Sequence, residues 1–226
     1  MGSLEKEVLN ELKPNSDTLK ELSIMSYVGT QFSYWKMHIS TPFGLLPSLQ
    51  YLSIQGKDAV EVIGMEVTGG GDVAFPSLKF LSFEDMLGLG EWSTKNEGLV
   101  AVFPCLHVLY ITNCPQLTNV SLQALTSLKV LEIDGCGDGV LRSLVQVASS
   151  ITKLRISSFL GLTYKVWRGV IKYLQIVEEL RISECNEIEY LWESETEASK
   201  LLVKLKEIEI TEMFRFGMFR RERRGG

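Results

Sequence analysis

Leu106-His-Val-Leu109-Tyr-Ile111-Thr-Asn-Cys114 and Leu128-Lys-Val-Leu131-Glu-Ile133-Asp-Gly-Cys136 are two copies of one pattern. Within each, Leu-x-Ile alternates apolar and variable residues with period two, which is the geometry of a strand with one buried face. The same three apolar positions recur outward in both directions. They are Leu19/Leu22/Ile24, Leu49/Leu52/Ile54 and Leu78/Leu81/Phe83 on one side, and Ile151/Leu154/Ile156, Val177/Leu180/Ile182 and Leu205/Ile208/Ile210 on the other. The starting positions lie 30, 29, 28, 22, 23, 26 and 28 residues apart. A strand this short cannot hide its apolar side alone, but it can when stacked on copies of itself.

Those spacings sit around the ~20–29 residues of leucine-rich repeats. They predict an α/β solenoid: a leucine-rich-repeat horseshoe with a parallel β-sheet on the concave side and irregular loops and short helices on the convex side. Eight strands ~4.8 Å apart would line an arc of roughly 35–40 Å. Short helices are expected over 145–150, 170–174 and 198–204. Leu4, Val8 and Leu12 share a helical face, so residues 1–18 read as an N-terminal helix or cap, or as the back of a preceding repeat. Residues 19–213 read as the repeat domain, with about eight repeats. Residues 214–226 read as a basic, disordered tail, with Arg215, Arg220, Arg221, Arg223 and Arg224 around Glu222.

The chain has 226 residues, 45% of them hydrophobic, and a net charge of −5. That balance argues against nucleic acid as a partner, because such affinity rests on neutralising phosphates. No run reaches the ~20 apolar residues of a membrane span, so no stable membrane insertion is expected. Cys114, Cys136 and Cys185 occupy one slot of the repeat and read as buried structural thiols. Successive cysteines lie 9, 22 and 49 residues apart, without a C-x-x-C pair or paired histidines, so no metal site is expected. A reducing, cytoplasmic location follows from this cysteine usage. Gly69-Gly70-Gly71-Asp72 lacks the G-K-[ST] ending of a phosphate loop and reads as a flexible turn on the rim, so no cofactor is expected. His38 and His107 stand in no nucleophile motif, and the carboxylates are spread along strands, so the chain is not expected to be an enzyme.

Several stretches resemble the leucine-rich-repeat region of plant intracellular immune receptors of the coiled-coil nucleotide-binding class (NLR disease resistance proteins). Glu7 to Pro14 followed by Leu19-Lys-Glu-Leu22-Ser-Ile24 resembles the entry of that region. Gly29 to Trp35 is similar to its Tyr-x-Gly-x-x-Phe-Pro-x-Trp element, with Ser33 where Pro is usual. Phe43-Gly44-Leu-Leu-Pro47-Ser-Leu49 resembles its Leu-Gly-x-Leu-Pro-Ser-Leu motif, and Ala74-Phe-Pro-Ser-Leu78 and Glu184 to Glu193 fit the same pattern. The resemblance covers roughly residues 4 to 213, with one repeat missing between the Trp element and the Leu-Pro-Ser-Leu element. No G-x-x-x-x-G-K-[ST] stretch is present, so nucleotide binding is not carried over.

The resemblance implies a non-enzymatic protein-recognition module acting in the defense response through its concave face. Its partner would be a pathogen effector, a host guardee or a nucleotide-binding domain on another chain. Two other readings stand beside it: a truncated, non-functional receptor remnant, and a leucine-rich-repeat substrate adaptor of a ubiquitin ligase. The outward strand positions carry the candidate protein-binding residues. Tyr51, Phe80 and Tyr110 would form an aromatic cluster on neighbouring strands. Glu132, Arg155, Arg181 and Glu209 would form a charged ladder able to set partner choice.

Overall fold

The computed structural model describes residues 17–25, 42–56, 60–69, 73–94, 101–159, 161–213 and 217–219. The expected N-terminal helix, the Trp element, His38, residues 70–72 of the rim turn and most of the basic tail lie outside them.

Eight five-residue strands form one sheet: Glu21–Met25, Tyr51–Gln55, Phe80–Glu84, Val108–Thr112, Val130–Asp134, Lys153–Ser157, Glu179–Ser183 and Glu207–Thr211. Their spatial order is their order in the chain, and every pair is parallel. The register aligns like with like: Leu109, Leu131, Leu154 and Leu180 are consecutive partners, as are Ile111, Ile133, Ile156 and Ile182. Eight similar strands in sequence order are compatible with an α/β repeat fold.

The alternation determines which side is wet. In the strand Val130–Asp134, Leu131 and Ile133 are buried while Val130, Glu132 and Asp134 are half-buried. Ile54, Ile133 and Ile182 are each at most 1% exposed, in one continuous core. Fully burying each such side chain contributes about 1.5–3 kcal/mol. The two edge strands are looser, and Leu22, Ile208 and Ile210 are only partly covered.

Two backbone devices repeat with the strands. Before them, Leu49, Leu78, Leu106, Leu128, Val177 and Leu205 each donate an N–H to the carbonyl three residues earlier, closing a turn. After them, Gly56, Asp85, Asn113, Gly135, Ser158, Glu184 and Glu212 each adopt a left-handed conformation, with φ between 48° and 66°. From Gly56 to Glu184, each of these residues donates its N–H to the last strand residue of the next copy, as Asn113 does to Asp134. The ladder thus continues one step beyond the strands while the chain turns away. Cys114, Cys136 and Cys185 follow directly; they are buried and free, and their thiols donate to Thr112, Asp134 and Ser183 carbonyls at 3.2–3.4 Å.

The opposite side of the core is not built as expected throughout. A three-stranded parallel sheet joins Val62–Ile63, Glu91–Ser93 and Asn119–Ser121, and a second short pair joins Val73–Ala74 to Ala101–Val102. A four-residue helix, Met65–Thr68, lies in this early part; the three expected helices follow later, and each begins earlier than its apolar run implied: Asp138–Val147, Tyr164–Ile171 and Glu195–Leu201. Caps set two of these starts. Thr163 accepts from the Val166 N–H and Ser194 from the Glu197 N–H, satisfying donors the first turn leaves orphaned. At the third start, a side chain at Gly139 would come within 2.5 Å of the Thr118 carbonyl oxygen, so only glycine lets the helix enter so close.

The tail expected to be disordered contains a strand, Gly217–Phe219, paired in parallel with Tyr190–Trp192. The Gly217 N–H donates to the Glu189 carbonyl at 2.8 Å, so the chain uses an edge that would otherwise be left unpaired.

Candidate functional site

The outward face of the eight-stranded sheet collects all seven candidate protein-binding residues. Tyr51 and Phe80 occupy the first position of adjacent strands and are register partners. Their rings stack with centroids 4.4 Å apart and planes within 3°. Tyr110 stands at the third position of the next strand, and its ring meets the edge of Phe80 at 5.2 Å. The cluster therefore covers part of its own surface, and all three residues remain half-exposed. Beside it, Ser82 is in register between Ser53 and Tyr110 and is fully buried, donating to Glu84 at 2.6 Å. At the turn below, Asp85 accepts from Asn113 at 2.8 Å and from Gln55 at 3.2 Å. Those two bonds hold its carboxyl below the usual carboxylate range.

The other four candidates continue the same outward row. Glu132, Arg155, Arg181 and Glu209 are register partners in that order on four adjacent strands. Arg155 reaches Glu132 at 3.3 Å. Arg181 reaches Glu207 at 3.0 Å and Glu209 at 3.2 Å. Its buried Nε–H nevertheless makes no aligned hydrogen bond among the described residues, so the contact with Glu209 is a charge contact. In the row before them, Lys153 donates to Glu179 at 2.5 Å, and that bond lowers the Glu179 pKa. These pairs are half-exposed, where each contributes only ~0.2–1 kcal/mol. Their consequence is a fixed pattern of charge.

The sequence reading missed the next row. Ser157, Ser183 and Thr211 lie two residues beyond Arg155, Arg181 and Glu209, again facing outward. Together with the four charged residues they line a shallow depression of ≈200 Å³. Carrying the period-two alternation one step further would have found them. His107 lies outside this surface; it precedes its strand and is exposed.

The fold and this face define a parallel-sheet α/β protein whose outward strand positions form one uninterrupted surface, aromatic at one end and charged at the other. The chain is similar to two curated proteins of Arabidopsis thaliana. It is 33% identical over 154 residues to "Putative disease resistance protein At3g14460", covering 58% of this chain and 11% of that protein. It is 28% identical over 158 residues to "Putative disease resistance RPP13-like protein 1", covering 59% of this chain and 15% of that one. The chain therefore spans about a tenth to a seventh of the length of these relatives. No family model matches the chain. No solved structure matches it either. Among the described residues, no helix is long and apolar enough to cross a membrane.

Proposed function

We propose that this chain is a non-enzymatic, cytoplasmic protein-recognition module of the leucine-rich-repeat type, acting in plant defense through the concave face of a solenoid. The observation that carries this reading is the single in-register sheet, whose outward rows hold stacked aromatics and then ordered charges without interruption. Similarity to disease resistance proteins supports the defense role. Rigid, partly exposed aromatics and arginines are the side chains that anchor protein interfaces. The partner is a pathogen effector, a host guardee or a nucleotide-binding domain on another chain, and the mechanism is surface recognition rather than chemistry.

The test is capture of partners from plant extract by the full chain and by a variant with Tyr51→Ala, Phe80→Ala and Tyr110→Ala together. Selective loss of captured proteins with the fold intact supports the reading. Unchanged capture of every partner rejects the aromatic end as an anchor.

A further inference from the structure

The charged end of the face carries a pattern that its internal ion pairs do not exhaust. Across four strands the outward row reads negative, positive, positive, negative: Glu132, Arg155, Arg181, Glu209. With strands ~4.8 Å apart the row spans roughly 14 Å. Each carboxylate holds its arginine from the outer side. The two central residues are register partners of like charge, an arrangement that is unfavourable by itself. The depression lies along this pair, with Ser157, Ser183 and Thr211 as its next wall. The hydroxyl-bearing side chains of all three line this wall.

We propose that the depression between Arg155 and Arg181 is a carboxylate-binding site that takes the acidic centre of a partner segment whose flanks are basic. This rests on the recognition reading above and specifies the partner's chemistry. A carboxylate between the guanidinium groups relieves their repulsion and accepts charge-assisted hydrogen bonds, which arginine's planar fork makes well. Serine hydroxyls add neutral donors from below. Lysine or arginine on either side then meets Glu132 and, at the other end, Glu207 and Glu209. At ≈200 Å³ the space suits one or two side-chain carboxylates and lies below the ~300 Å³ typical of small-molecule pockets. Inorganic phosphate, with its higher charge, is disfavoured by the same flanking carboxylates.

The test uses the isotope-labelled full chain and follows the arginine side-chain Nε–H signals by NMR. Three probes are titrated: a capped peptide with two aspartates between two lysines, the charge-inverted peptide, and inorganic phosphate. The proposal expects saturable shifts at Arg155 and Arg181 with the first probe and at least tenfold weaker response to the other two. Arg155→Gln with Arg181→Gln should weaken the first peptide at least tenfold while the backbone amide spectrum stays folded. Glu132→Gln with Glu207→Gln and Glu209→Gln should retain binding but abolish the advantage over a peptide with alanines in place of the lysines. Equal response to phosphate would overturn the acidic-peptide assignment, and absence of shifts at both arginines would overturn the site. If the site fails while the aromatic variant still loses captured proteins, the recognition reading survives. If peptide binding holds while capture is insensitive to both ends of the face, that reading fails and the site stands.

Discussion

The two halves of the molecule share one sheet but back it differently. Up to the strand Val108–Thr112, the core behind the sheet is closed by two- and three-residue strands, a single-turn helix at Met65–Thr68 and rings. Trp92 is wedged against Phe83 at 5.0 Å and Phe103 at 6.1 Å, and Phe103 stacks on Phe75 at 4.9 Å. Beyond it, longer helices of seven to ten residues carry much of the backing, and Trp167 projects from one of them into the core to donate its indole N–H to the Leu191 carbonyl at 3.1 Å. The outward face changes at about the same place, from stacked rings to ion pairs. A repeating strand fixes only its own spacing and register. What fills the space behind it and what it displays in front can vary by segment, provided the Leu-x-Ile core is kept.

That contrast can be broken experimentally, and the largest effects belong to the core. Trp92→Ala should cost about 3–5 kcal/mol, since it removes a fully buried ring that meets Phe83 and Phe103. Leu131→Ala, at the junction of the halves, should cost about 2–5 kcal/mol, whereas Ile208→Ala on the half-covered edge strand should cost clearly less. Denaturant melts of the three variants check this order, and equal costs would mean that the edge is not an edge. Smaller effects sharpen the helical half. Thr163→Ala removes the cap at the Tyr164–Ile171 helix and should cost about 1 kcal/mol by the same measurement. Glu184→Gly should stabilise the protein by about 1 kcal/mol, because Glu184 holds φ at 53°, where any residue with a Cβ is strained.

The smallest effect concerns charge. The Lys153 hydrogen bond depresses the Glu179 pKa, so its contribution is present above the ordinary glutamate value and is lost as pH falls through the depressed one. Lys153→Ala should raise the Glu179 titration, followed by carboxyl-carbon NMR, toward the usual glutamate range, with Arg181 and Arg155 still holding it down in part. No change in the titration would mean that the pair does not persist in solution.

Much of this architecture was legible in the residues, and the reasons differ by element. The eight strands could be read because Leu-x-Ile is dictated by burial on one face, and all seven candidate residues fall on the other face for the same reason. The short back strands could not be read, because two or three residues such as Val62–Ile63 carry no period. Helix starts were misplaced by following apolar runs. The Ser194-x-x-Glu197 capping signature was the better guide, and Glu197 also accepts from the Glu193 N–H at 2.7 Å. The placing of Arg155 beside Arg181 was legible from the aligned repeats, and the register bears it out; their individual ion-pair partners, such as Glu207 for Arg181, were not, because they depend on side-chain reach across strands.

The most direct check on the whole account is the cross-strand NOE pattern among Tyr110, Glu132, Arg155 and Arg181 in solution. The account predicts contacts that place these four in register on consecutive parallel strands, with Leu109, Leu131, Leu154 and Leu180 aligned beside them. A pattern displaced by one residue would turn the charges inward and the leucines outward, contradicting both the fold and the face built on it.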